Sequence, residues 1–148
     1  MERVYGDYKI STDKSLLSVK RISEMLDKSY WAAGRPWETI EASIRNSICY
    51  GIYKDDEQVG FARVVTDYAT MYWVCDVIID EEHRGRKLGA LLIESIVNAE
   101  ELKGIGKGIL TTRDAQGLYD KFGFRSIESG MIRKLSDLEA EQLKEDRW

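Results

Sequence analysis

Val77-Ile78-Ile79-Asp80-Glu81-Glu82-His83-Arg84-Gly85-Arg86-Lys87-Leu88-Gly89-Ala90 is the most informative stretch of this 148-residue chain. An apolar, β-branched run ends in a short loop with two glycines and three cations. A helix then begins at once, because Leu88, Leu91, Leu92 and Ile96 recur at spacings of three and four. The first turn of a helix presents unpaired backbone N–H groups and the positive end of the dipole, which suits a phosphate. Glycine lets the backbone approach an anion, and Arg84, Arg86 and Lys87 add charge. The same residues also read as a solvated strand-to-helix turn with ordinary surface cations. Strand, loop and helix in this order place the chain among mixed α/β folds.

Working outward from this stretch, the preceding residues carry a strand pattern. Ile48–Lys54, Gln58–Thr66 and Thr70–Ile79 are rich in β-branched and aromatic residues. Asp55-Asp56-Glu57 and Asp67-Tyr68-Ala69 separate them as turns, so an antiparallel meander is expected. Further back, Ser15–Lys28 reads as a helix on the spacing of Val19, Ile22 and Leu26, after a short strand at Tyr8–Ser11. Pro36 suits the first turn of a second helix, with Trp37, Ile40 and Ile44 on one face. On the C-terminal side, Ile109–Thr112 reads as a strand, and Asp114 as the N-cap of a short helix ended by Gly123. Phe124–Glu128 and Met131–Lys134 resemble a closing hairpin, and Ser136-x-x-Glu139 has capping-box spacing. The expected order is β-α-α-β-β-β-α-β-α-β-β in a single domain, residues 1–148, around one mostly antiparallel sheet.

Composition narrows the function without choosing it. Hydrophobic residues make up 43% and charged residues 32%, a globular balance with enough apolar content for a core. The net charge of −4 argues against nucleic acid as a partner. No apolar run approaches the roughly 18 residues of a membrane span, so no membrane partner is expected. Met1–Asp7 has no apolar stretch of the secretory kind, which makes the cytoplasm the expected compartment. Cys49 and Cys75 cannot build a disulfide framework, and a lone histidine, His83, argues against a zinc cage. His83 is expected to face solvent beside the loop.

Two nucleotide-binding loops are excluded by pattern. There is no G-x-x-x-x-G-K-[ST]. Gly104-Ile105-Gly106-Lys107-Gly108 follows a helix and precedes a strand, the reverse of a dinucleotide fingerprint. A different resemblance does emerge. Arg84-Gly85-Arg86-Lys87-Leu88-Gly89-Ala90 resembles the [Q/R]-x-x-G-x-[G/A] loop of the GNAT superfamily of N-acetyltransferases. Ala115-Gln116-Gly117-Leu118-Tyr119-Asp120-Lys121-Phe122-Gly123-Phe124 is similar to that superfamily's A-x-x-[LF]-Y-x-x-x-G-F signature. The two stretches are about 30 residues apart and in the matching elements, so the resemblance covers nearly the whole chain.

The resemblance implies roles residue by residue. The backbone of Arg84, Gly85, Arg86, Lys87, Leu88, Gly89 and Ala90 would cradle the pyrophosphate of acetyl-CoA. Backbone groups of Val77, Ile78 and Ile79 would pair with the pantetheine arm. Tyr119 matches the tyrosine that protonates the departing thiolate; as a residue on its own it also reads as a helix tyrosine packing under the sheet. Lys87 stands where the family loop has its first glycine, and it is expected to take ordinary helical φ/ψ as the first helical residue. Asp76 interrupts the apolar strand Trp73–Ile79 and is a candidate proton acceptor; it reads equally as a structural carboxylate bonded to backbone or to a cation such as Arg63. Some family members carry a glutamate earlier on this strand, where this chain has Trp73. Cys49 and Cys75 lack an evident activating base and read as buried strand residues.

In this fold the two N-terminal helices and their connecting loop form one wall of the acceptor site. Here they offer Tyr30, Trp31 and Trp37, with Glu38 and Glu41 nearby, while Tyr68 and Tyr72 lie at the turn between the third and fourth strands. Aromatic rings with carboxylates would suit a cationic amine; Trp31 and Trp37 read equally as core. The expected activity is acetyl-CoA-dependent transfer to a small-molecule amine in a ternary complex, with Tyr30, Trp31 and Tyr72 as acceptor-binding residues. Acetylation of a protein amine, or a catalytically silent acyl-CoA-binding regulatory module, are the alternatives, and a homodimer is open.

Overall fold

The computed structural model describes residues 1–134. Six strands form one sheet in the order β1-β2-β3-β4-β5-β6: Glu2–Tyr5, Tyr8–Ser11, Ile48–Lys54, Glu57–Thr66, Tyr72–Ile79 and Gly108–Ile109. All neighbouring pairs are antiparallel except β5 and β6, which are parallel. Four helices accompany them: α1 (Val19–Asp27), α2 (Trp37–Arg45), α3 (Leu88–Val97) and α4 (Gln116–Asp120). The mixed, mostly antiparallel architecture is the one expected. No helix among the described residues is long and apolar enough to cross a membrane.

The sheet buries both faces. Alternation sends Tyr50, Ile52, Ala62 and Val64 to the face covered by α3, whose Leu88, Leu92, Ile93 and Ile96 are almost fully buried. Cys49 and Phe61 point to the opposite face, where Ile22, Met25 and Leu26 of α1 and Ile40 and Ile44 of α2 cover them. One irregularity matters for the site. Val74 and Ile78 are four residues apart and should share a face, yet they belong to opposite cores. Between Phe61 and Arg63 the β4–β5 register slips, so that Asp76 and Val77 together face a single residue of β4. Asp76 sits at the slip with φ +52, the left-handed conformation that aspartate tolerates better than most residues. This bulge reverses the facing of every later residue on β5.

Several boundaries differ from the sequence reading. The first helix begins at Val19, with Ser18 Oγ accepting from the Arg21 N–H, and only an isolated turn at Lys14–Leu16 precedes it. Strand β1 was not expected; all four of its residues are exposed and carry no apolar alternation. Strand β6 is confined to Gly108–Ile109 because the chain turns away from β5 after that point. Helix α4 is entered from Ala115, whose N–H donates to Thr112 Oγ1, and Asp114 does not cap it. The segments Phe124–Glu128 and Met131–Lys134 form no hairpin, since a two-residue β6 offers no edge for them to extend. Ile127, Met131 and Ile132 are correspondingly exposed. The Ser136-x-x-Glu139 reading lies outside the described residues.

Candidate active site

Strands β5 and β6 pair only at Tyr72–Gly108 and Trp73–Ile109. Beyond Trp73 they separate, and among the described residues β5 has no ladder partner on that edge. The parting opens a cleft of about 550 Å³ between the rest of β5 and the segment running from Leu110 through α4. Its backbone edge and its depth follow from the same cause, the early end of β6.

Arg84 lines this cleft beside Ile79, and the Gly85–Ala90 turn follows it in the chain. Gly85 (φ +78) and Lys87 (φ +63) both adopt the left-handed conformation, and α3 starts at Leu88. Lys87 is therefore the residue before the helix and not its first helical residue, contrary to the expectation above. A left-handed non-glycine residue costs roughly 1–2 kcal/mol. The two left-handed residues curl the chain so that the N–H groups of Gly85, Arg86, Lys87, Leu88, Gly89 and Ala90 donate to no group among the described residues. The loop is braced to the strand by Arg84, whose Nε donates to the Ile79 carbonyl at 3.1 Å. A Cβ on Gly89 would meet only Leu118 Cδ2 at 3.7 Å, an ordinary contact, so the helix itself does not require glycine there. The six amides, two of them on glycines, fit a pyrophosphate as a backbone cradle would.

Tyr119 lies on the wall facing β5, half-buried, with its ring edge-on to Phe124 at 6.1 Å. Its hydroxyl makes no hydrogen bond among the described residues. Burial pushes the phenol upward, and the charges of Tyr30 and Asp114 add to the rise, so the proton stays on at neutral pH. Cys75 also reaches the cleft, but burial raises its thiol, and burial carries the Cys49 thiol to about 11. Neither cysteine is a thiolate at neutral pH.

Asp76 is almost fully buried and completely engaged. Its Oδ2 accepts from Arg35 Nη1 at 2.7 Å and from Arg63 Nε at 2.9 Å, and its Oδ1 accepts from the Trp31 indole at 3.2 Å. Burial alone would raise the carboxyl; the Arg35 hydrogen bond and the Arg63 charge outweigh it and hold the group below the usual carboxylate range. The bulge thus pins the α1–α2 loop to the sheet through one carboxylate. Arg63 was legible as a partner for Asp76; Arg35 was not, because only the folded loop brings it to β5.

Of the residues expected at the acceptor end, Tyr30 and Trp31 line the cleft. Tyr30 Oη accepts from the Arg113 N–H at 3.0 Å, and the Arg113 guanidinium lies 3.8 Å from the Tyr30 ring centre. Tyr72 does not line it. Its ring packs at the closed end over Gly108, where an added Cβ would lie 2.4 Å from Tyr72 Cζ. Trp37 is exposed and donates to Glu41 at 2.9 Å, and neither Glu38 nor Glu41 reaches the cleft. His83 is half-buried and does not face free solvent; its Nδ1 lies 2.9 Å from Tyr8 Oη.

Comparison with known proteins agrees with this arrangement. Residues 45–126 match the model of the acetyltransferase (GNAT) domain. A Gibberella zeae protein that carries the name acetyltransferase is 33% identical over 139 residues, covering 78% of this chain and 77% of its own. A crystal structure from Xanthomonas campestris pv. campestris, described as of the GNAT family, superposes with a TM-score of 0.82 at 36% identity over 86% of this chain and 93% of that one. A Staphylococcus aureus structure shares the fold at 23% identity, with a TM-score of 0.72 over 86% of this chain and 98% of its own. With the parted strands, the unpaired amides of Gly85–Ala90 and the matching domain now together, the chain belongs to the GNAT superfamily of acetyltransferases.

Proposed function

We propose that the protein moves an acetyl group from acetyl-CoA to the amine of a small molecule, both bound in the cleft at once. The observation that carries this reading is the row of six amides at Gly85–Ala90 with no acceptor among the described residues, which directly follows Arg84, a lining residue of the cleft that exposes the free edge of β5 and holds Tyr119. The amides and the dipole of α3 would hold the pyrophosphate, with Arg84, Arg86 and Lys87 as supporting charge. Val77, Ile78 and Ile79 would pair through their backbone with the pantetheine arm, as an added strand does. When bound, acetyl-CoA supplies a thioester, whose carbonyl needs donors and whose sulfur needs a proton.

Tyr119 is placed to give that proton: its hydroxyl is on the cleft wall, carries its proton at neutral pH and bonds no other group among the described residues, although burial makes it a weaker acid than a free phenol. Asp76 is not suited to take one. Two guanidiniums already occupy its Oδ2 and the Trp31 indole its Oδ1, and its role in this reading is to position Trp31 and Arg35 on the acceptor wall. A small acceptor is favoured over a protein segment by the Tyr30–Arg113 contact, which joins the α1–α2 loop to the segment after β6 and narrows the acceptor end.

The test is release of free CoA thiol from acetyl-CoA in the presence of a panel of small amines and, separately, of lysine-bearing peptides. Turnover with small amines is expected. Turnover with peptides alone would replace the acceptor class, and tight CoA binding with no turnover on any amine would make the chain a silent binding module.

A further inference from the structure

The acceptor end of the cleft carries more positive charge than its own carboxylate neutralises. Arg35, on the α1–α2 loop, and Arg63, on β4, converge on Asp76 with side chains only 20% and 14% exposed. Both line the cleft. The pair of guanidiniums meets one buried carboxylate, which leaves one positive charge in excess in a half-buried setting. One arginine would have been enough to satisfy Asp76. The remaining bonds do not absorb the second: Arg63 Nη1 donates to the neutral Ser47 hydroxyl at 3.1 Å, and the Nη2 groups of both arginines find no acceptor among the described residues. The cleft's other carboxylate, Asp114, is exposed on the opposite wall. Arg84 belongs to the cradle end, where it holds the Ile79 carbonyl.

A half-buried cation with unused donors is costly unless a partner arrives. Guanidinium forks match the planar, two-oxygen geometry of a carboxylate, and a monoanion would complete an alternating arrangement of two positive and two negative charges. The carboxylates that would have recruited a cationic acceptor, Glu38 and Glu41, are outside the cleft. Building on the acetyltransferase reading, which places the acceptor at this end, we infer that the acceptor is an amine that also bears a carboxylate, held by the Nη2 groups of Arg35 and Arg63. Amino acids and short amino-carboxylates have this chemistry; polyamines and simple aliphatic amines do not.

Product binding tests this without relying on turnover. The protein, with and without saturating CoA, is titrated calorimetrically with the N-acetyl derivatives of glycine, alanine, leucine, phenylalanine, aspartate and lysine. Each is measured beside its primary amide, which keeps the shape and removes the charge. At least one N-acetyl amino acid should bind at least about tenfold more tightly than its amide, as a charge-assisted, forked contact requires. Arg35→Lys and Arg63→Lys keep a cation near Asp76 while removing the fork, and each should collapse that preference to under about threefold. Thermal melts of both variants confirm that the fold is retained. Equal affinity for acid and amide in every pair, no binding of either form, or a preference that survives both substitutions would each overturn the inference. Failure of CoA to bind in the same cell would defeat the acetyltransferase reading by itself, while the titration without CoA still decides whether the arginine pair takes a carboxylate.

Discussion

At Lys87 a side chain occupies a left-handed conformation that glycine adopts freely, and the charge on that side chain meets no partner among the described residues. Lys87→Gly should therefore raise stability by about 0.5–1 kcal/mol, the left-handed penalty less the entropy glycine adds to the unfolded chain. CoA affinity should change only a few-fold, since the cradle uses the amide. A urea midpoint that falls would mean the conformation at 87 carries no strain. Tyr119→Phe separates binding from chemistry at a single atom. The ring still packs beside Phe124, so CoA affinity should hold, while kcat should drop by roughly 10²–10⁴, the usual worth of a positioned general acid. The deficit should shrink as pH rises toward the thiol pKa, because a thiolate then leaves without help. Pre-steady-state transfer measured across pH reads this directly, and an unchanged rate at neutral pH would return Tyr119 to packing alone.

Elements meet at the β5 bulge. Asp76 ties the α1–α2 loop to the sheet, so its loss should be felt as stability and not merely as local rearrangement. Asp76→Asn tolerates the left-handed conformation and keeps an acceptor for Trp31, but it strands two largely buried guanidiniums. A loss of about 2–4 kcal/mol at neutral pH is expected, at the lower side for a buried pair because both arginines retain some solvent. The pH dependence has a definite sign. The folded carboxyl lies below its ordinary value, so its contribution is complete above roughly pH 4–5, the unfolded range, and is lost as acidification passes the folded value. Urea midpoints of wild type and Asp76→Asn should converge as the pH falls below the ordinary carboxylate range. Equal midpoints at pH 7 would show that the cluster holds nothing in place.

For the whole molecule, the cleft joins parts that are far apart in sequence: the α1–α2 loop, the bulged strand, Arg84 and α4. A ligand that spans them binds only the folded chain. Acetyl-CoA at 100 times its dissociation constant should stabilise the protein by about 2.7 kcal/mol through linkage alone. Differential scanning calorimetry with acetyl-CoA and with CoA checks this, and a melting curve indifferent to both would remove the cosubstrate assignment.

Local pattern alone determined much of this protein. Period-two and period-3.6 apolar spacing located β3, β4, β5, α2 and α3 to within a residue or two, because each buries one stripe or face against the core. The left-handed turn and helix start at Gly85–Leu88 are made by residues close in sequence, which is why that stretch could be singled out as a candidate phosphate loop, while Tyr119 was singled out by the family resemblance. Other features were decided only by tertiary structure. Strand β1 has no apolar alternation to read, and the expected hairpin after Phe124 had no edge to join once β6 ended at Ile109. The left-handed Lys87 follows from how the loop must turn from β5 into α3, which residue type does not disclose. The charge of the acceptor end was the most consequential of these. Arg35 and Asp76 are 41 positions apart, and Glu38 is only three from Arg35; folding alone sends the arginine into the cleft and leaves the glutamate outside it. Sequence proximity suggested carboxylates that would hold the acceptor's amine, and the three-dimensional pairing of charges points to arginines that would hold a carboxylate on the same acceptor.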